Sequence, residues 1–127
     1  MSVRKQYHLR PSGSKFDAWD VHRLIKLSED FPVKELPLSD IREVDENYWF
    51  NGPDSIPSCR SIVVHLELIL TSDLSYPIIL SSDGRVMDGM HRIAKALHFK
   101  EPVIKAVQFE TDPEPDFRNV SEDELEY

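Results

Sequence analysis

The sequence predicts an α+β domain: a small mixed β-sheet with helices packed around it. Three observations point there. The chain has 127 residues, 40% hydrophobic and 30% charged, the size and balance of one soluble domain with a modest core. Short apolar or alternating runs bounded by turn residues, at 33–38, 76–80 and 102–109, have the length of strands. Between them lie stretches where apolar residues recur every three or four positions, the period of an amphipathic helix.

In chain order, residues 1–15 form a basic arm containing Pro11 and Gly13. Residues 16–27 read as a first helix. Phe16, Trp19, Val21, Leu24, Ile25 and Leu27 give it a broad apolar face, and Asp17 and Asp20 near its start suit the helix dipole. Pro32 ends this region. Residues 33–38 (VKELPL) alternate as a half-buried strand should, and Ser39-Asp40 can cap a short helical turn around Ile41. From 42 to 56 acids, aromatics and turn residues mix. Tyr48, Trp49 and Phe50, beside Asn51-Gly52-Pro53, are either a core anchor or a pocket wall, the anchor being the commoner use of large rings.

Residues 57–70 read as a helix with Pro57 in its first turn. Ile62, Leu66, Ile69 and Leu70, widened by Val63, form its apolar face; Arg60, His65 and Glu67 fall off that face or at its edge. Residues 76–80 (YPIIL) are a buried strand, 81–84 a turn, and Arg85-Val86-Met87 the start of a second strand. A helix opens at Asp88-Gly89-Met90-His91-Arg92 and continues through Ile93, Ala94, Ala96 and Leu97. Residues 102–109 (PVIKAVQF) form another strand, and no internal repeat is visible.

Charge is unevenly spread. The net charge is −8, and from Glu110 onward eight carboxylates face one Arg118, so this segment carries −7 and the rest is near neutral. There is no basic stripe, which argues against duplex DNA binding. The acidic segment reads as a solvated, poorly ordered end, with docking over the pocket or binding of a basic protein partner as alternatives. No apolar run approaches the roughly 20 residues of a membrane span, and the first ten residues are polar and basic, so a cytoplasmic protein is expected. The single Cys59 allows neither an internal disulfide nor a multi-cysteine metal site. No Ser-His-Asp spacing, zinc pattern or phosphate-loop motif is present.

The candidate site lies at the opening of the helix after Asp88. A glycine between strand and helix lets backbone approach a ligand closely, and the first amides of the helix have no internal partner and can hold an anion. His91 and Arg92 add donors there. A cation in a helix's first turn is electrostatically awkward, which favours an anion partner; a salt bridge from Arg92 to Asp88 or a nearby Glu is the alternative. His91 can donate to phosphate or serve as a general acid. Asp88 can ligate a divalent metal together with phosphate oxygens, act as a base, or cap the helix. Lys95, a turn further on, can reach phosphate or stay solvated.

This order resembles the ParB/sulfiredoxin superfamily. The resemblance rests on Leu36-Pro37-Leu38-Ser39-Asp40-Ile41, the helix from Pro57, Tyr76-Pro77-Ile78-Ile79-Leu80, Val86 to Leu97, and Glu101-Pro102-Val103-Ile104. It covers residues 33–109, leaving 1–32 as an N-terminal arm and helix packing on that core and 110–127 as an acidic tail. It implies a nucleotide, ATP or CTP with Mg²⁺, whose phosphates meet Gly89, the Met90 amide, His91 and Arg92. Arg60 and His65 lie on the helix that flanks the pocket in such proteins. Glu46 and Asp45 lie in the loop after the first strand, where relatives place catalytic or ligand residues. NTP hydrolysis or phosphoryl transfer is the chemistry implied, with Asp88, His91 and Glu46 as catalytic candidates.

The sequence departs from each known branch. Sulfiredoxins carry a nucleophilic Cys where this chain has Met90, so sulfinic-acid reduction is not expected. ParB partition proteins carry Glu-Arg-Arg after the glycine and a helix-turn-helix beyond it; here Met90-His91-Arg92 follows, and then acid. The resemblance therefore implies a small stand-alone bacterial member that binds a phosphorylated ligand without binding DNA, either as an enzyme or as a non-enzymatic sensing or protein-interaction module.

Overall fold

The computed structural model describes residues 5–50 and 56–126; the Asn51-Gly52-Pro53 turn expected from sequence lies outside them. The fold is mixed α+β. Among the described residues the order is β1 (Tyr7–Ser12), β2 (Lys15–Asp20), α1 (Val21–Ser28), β3 (Lys34–Pro37), α2 (Cys59–Thr71), β4 (Ile78–Leu80), β5 (Val86–Asp88), α3 (Met90–His98), β6 (Val103–Gln108) and β7 (Phe117–Val120). Short 3₁₀ turns occupy Leu38–Asp40, Arg42–Asp45 and Glu122–Glu124.

The central sheet has the order β3-β6-β4-β5. β3 runs antiparallel to β6, β6 parallel to β4, and β4 antiparallel to β5. Successive side chains of a strand point to opposite faces, and this splits the core in two. Ile78, Leu80, Val86, Ile104 and Ala106 face Ile93 and Ala96 of α3. Ile79, Met87, Val107 and Phe109 face Trp19, Val21 and Leu24. One face thus carries α3 and the other carries α1 with the end of β2.

Several sequence expectations are corrected. Residues 16–20 are strand, not helix. Gly13 at φ +64 opens a two-residue loop, the position such a hairpin reserves for glycine, and β1 pairs with β2 from Tyr7↔Asp20 to Ser12↔Lys15. The basic arm is therefore half of a hairpin. Asp20 caps α1 instead of lying within it, accepting from the His22 amide. The helix expected from Pro57 starts later: Ser58 is its cap, and its hydroxyl and that of Ser61 bond reciprocally to each other's backbone amide.

The acidic segment is not a solvated end. β7 adds to β2, completing a three-stranded sheet of order β1-β2-β7. Its carboxylates meet the cations of the N-terminal segment: Asp112 pairs with Arg10, Asp116 with Arg23 and Glu124 with Lys15. Asp116 also accepts from the Asp20 amide, and the Trp19 indole donates to Pro113 O at 2.7 Å. Three carboxylates of the acidic segment thus pair with cations of the first 23 residues, which composition read segment by segment conceals.

α2 is turned the other way from expectation. Ser61, His65, Leu68 and Ile69 are partly covered, whereas Ile62, Val63, Leu66 and Leu70 are exposed. Of the four apolar positions expected at helical spacing only Ile69 lies on the inner side, where His65 sits with it.

Candidate functional site

α2, the β5–α3 corner and the loop carrying Tyr48 and Trp49 enclose a cavity of about 850 Å³. The corner is fixed by backbone geometry. Gly89 adopts φ +114, and a Cβ there would lie 2.6 Å from Ile78 Cγ2 and 3.0 Å from Arg92 Nη2. Only glycine meets both the positive φ and the close approach. Having no side chain, it leaves the first turn of α3 without a side-chain cap, so that turn faces the cavity with amide donors that the helix itself does not use.

Of the residues singled out from sequence, Asp88, Gly89, Met90, His91, Arg92 and His65 line this cavity. The other four are placed elsewhere. Glu46 forms a bidentate pair with Arg85, at 2.6 and 2.9 Å, and that hydrogen bonding holds its carboxyl below the usual range. Lys95 donates to Ser72 O at 2.7 Å, tying α3 to the end of α2. Arg60 is exposed on the outer side of α2. Asp45 is exposed too; the buried acid of that loop is Glu43, which accepts from the Val86 amide at 2.6 Å and lies 3.4 Å from Arg85 Nε.

Arg92 is engaged within the fold. Nη1 donates to Tyr76 O at 3.0 Å and Pro77 O at 2.9 Å, and Nη2 to Asp88 Oδ2 at 2.7 Å. The guanidinium and carboxylate are 14% and 10% exposed, so this is a largely desolvated pair. The helix-start cation thus finds its anion four residues back, the alternative the sequence left open. Asp88 Oδ1 is shared at 3.5 Å with the Gln6 amide. Among the described residues no three His, Cys, Asp or Glu side chains converge as a metal cage.

His65 and His91 form the other polar element. Nδ1 of His65 lies 2.9 Å from Nε2 of His91, so one ring donates and the other accepts. Trp49 lies nearly parallel to both, its centroid 4.4 Å from His65 and 4.7 Å from His91. The imidazoles are 5.2 Å apart and 22° from parallel, so the indole spans a nearly flat pair. Tyr48 completes this wall. Burial first, then the carboxylates of Asp88 and Glu43, push its phenol up to about 12, so it is a donor at neutral pH.

Tyr48 and Trp49 are therefore pocket wall. The sequence signal was the three consecutive aromatics; which role they take depends on where α2 passes. Gln6, Asp73 and Tyr76 also line the cavity, and nothing in their local sequence marks them. Compared with known proteins, the chain matches no family model, no curated protein and no solved structure. No helix among the described residues is long and apolar enough to cross a membrane.

Proposed function

We propose that the cavity binds a small phosphate-bearing ligand, a nucleotide being the class that suits it. The observation that carries this reading is the meeting, in one cavity of about 850 Å³, of the uncapped first turn of α3 with the imidazoles of His65 and His91. A volume of several hundred Å³, largely apolar walls and a few convergent polar groups are the usual description of a small-molecule site. Amides of Met90 and His91 would receive phosphate oxygens, and the aromatic wall would flank a base. The resemblance of residues 33–109 to the ParB/sulfiredoxin superfamily supports the same corner. Arg92 then acts by holding the corner in shape rather than as a free phosphate clamp.

A Mg²⁺ ion entering with a phosphate chain would find Asp88 Oδ1 at this corner, the rest of its shell coming from phosphate and water, the ligands this ion prefers; it would offset phosphate charge. For hydrolysis or phosphoryl transfer, a reaction set mainly by positioning and charge, the His65–His91 pair is the proton-handling group. One ring fixes the tautomer of the other, and Tyr48 stays protonated beside it. A cytoplasmic setting accompanies this reading.

The second reading is a sensing or interaction module without turnover. It is favoured by the mutual engagement of Asp88 with Arg92 and of His65 with His91, which leaves the acid–base groups paired before any ligand arrives. Thermal unfolding with ATP, CTP and pyrophosphate, each with and without Mg²⁺, tests both. Binding raises Tm in step with ligand concentration, and His91→Ala diminishes the rise. Released phosphate or a phosphorylated acceptor selects the enzyme. Absence of any rise across the panel overturns the ligand proposal.

A further inference from the structure

The outer side of α2 is the least expected surface of this chain. Ile62, Val63, Leu66 and Leu70 are 54%, 52%, 49% and 46% exposed, on a helix of 13 residues in which no residue is fully buried. Val64 and, just before the helix, Ile56 extend the patch. Isolated apolar residues on a surface are ordinary; a contiguous set along one helix marks an interface. Steps of three and four residues align Arg60, Val63, Glu67 and Leu70 down the outward line of the helix. Only two charges interrupt it, one of each sign, two turns apart. Among the described residues neither forms an ion pair.

We propose that this face binds a second copy of the same chain, the two α2 helices packing antiparallel about a two-fold axis. Charge order selects this occupant. In a two-fold pair each residue meets its counterpart reciprocally. Antiparallel packing centred between Val63 and Glu67 brings Arg60 of each copy within about one turn of Glu67 of the other, given a rise of about 1.5 Å per residue. Two ion pairs then flank a seam of Val63, Leu66 and Leu70. Parallel packing would set Arg60 against Arg60 and Glu67 against Glu67. The ligand cavity is on the opposite side of the helix, reached by His65 and Leu68, so association leaves it open, and the proposal stands whether or not a nucleotide binds.

Sedimentation equilibrium of the full chain from about 1 to 300 μM tests it. A concentration-dependent monomer–dimer equilibrium is expected. Arg60→Glu or Glu67→Arg alone places like charges at both contacts and should raise the dissociation constant about tenfold. The double exchange Arg60→Glu with Glu67→Arg should return it to within about threefold of the parent, and the two single variants mixed should associate with each other. Val63→Asp should give monomer with unchanged circular dichroism. A monomer at every concentration overturns the proposal, whether this face then holds a different protein or a lipid surface. A dimer insensitive to the exchange overturns the antiparallel arrangement.

Discussion

His65 Nδ1 and His91 Nε2 meet at 2.9 Å across α2 and α3, beneath the indole of Trp49. The contact needs one neutral ring at least, because two imidazolium rings would set N–H against N–H. It also joins α2, in which no residue is fully buried, to α3 of the central sheet's helix layer. Replacing either histidine by Ala should cost about 1 kcal/mol, the net worth of one hydrogen bond, and the double variant should cost less than the two singles together. Urea unfolding of the four proteins measures this; strict additivity would show that the rings do not act as a pair.

Gly89 is the position where a single methyl group does most harm. At φ +114, with Ile78 Cγ2 2.6 Å from the site of a Cβ, Gly89→Ala adds backbone strain and a steric clash, about 2–4 kcal/mol together. The expected Tm decrease should exceed that of Gly84→Ala. Gly84 also has positive φ, at +85, but its nearest neighbour is the Gln108 side chain at 4.0 Å.

Arg92→Ala should destabilise by about 3 kcal/mol or more, because it leaves Asp88 partly buried without its cation and frees two carbonyls. Removing both partners, with Asp88→Asn and Arg92→Met, should cost less than Arg92→Ala alone. Denaturant midpoints give the comparison. This also fixes how ligand binding is read: lost affinity in Arg92→Ala reports a collapsed corner, so His91 and His65 are the informative substitutions.

His8 predicts an acid-sensitive limb. It packs on Trp19 with ring centroids 5.6 Å apart, and its buried Nε2 has no hydrogen-bond partner among the described residues. Burial, then the nearby Arg10, lowers its pKa from 6.5 to about 4. The unfolded chain therefore takes up a proton first as pH falls. Stability is flat above about 6.5, declines between 6.5 and 4, and is no longer lost through this group below that, with a total on the order of 3 kcal/mol. His8→Phe should flatten this limb relative to the parent in urea titrations at pH 7, 5.5 and 4.5. An unchanged slope would remove His8 from the account.

Much of the architecture was legible where local pattern and tertiary role agree. The stretch from Tyr76 to Leu97 folds as strand, turn, strand and helix, because its apolar runs are short, its turn holds Gly84, and Gly89 separates strand from helix. Residues 16–20 misled because Phe16 and Trp19 fit a helical stripe, while the strand they form is fixed by the hairpin with β1 and extended by β7, about a hundred positions away. α2 misled because period alone shows that a face exists, not which way it turns. For the cavity, segment 88–92 and, through the resemblance, His65 were expected to lie together, and they line it; the place of Trp49 over the two imidazoles was not legible, since the three lie on separate elements.

The sheet that joins both ends of the chain carries a temporal consequence. Asp20 and Trp19 find their acceptors 96 and 94 residues further on. During synthesis the first hairpin must wait, its open edge unpaired, until residues about a hundred positions further on have been made. Loop-closure entropy makes such distant pairing slow. Ribosome-bound chains halted before Asp112 would present that edge to chaperones, and the segment from Asp112 through β7 acts as the clasp that ends this vulnerability.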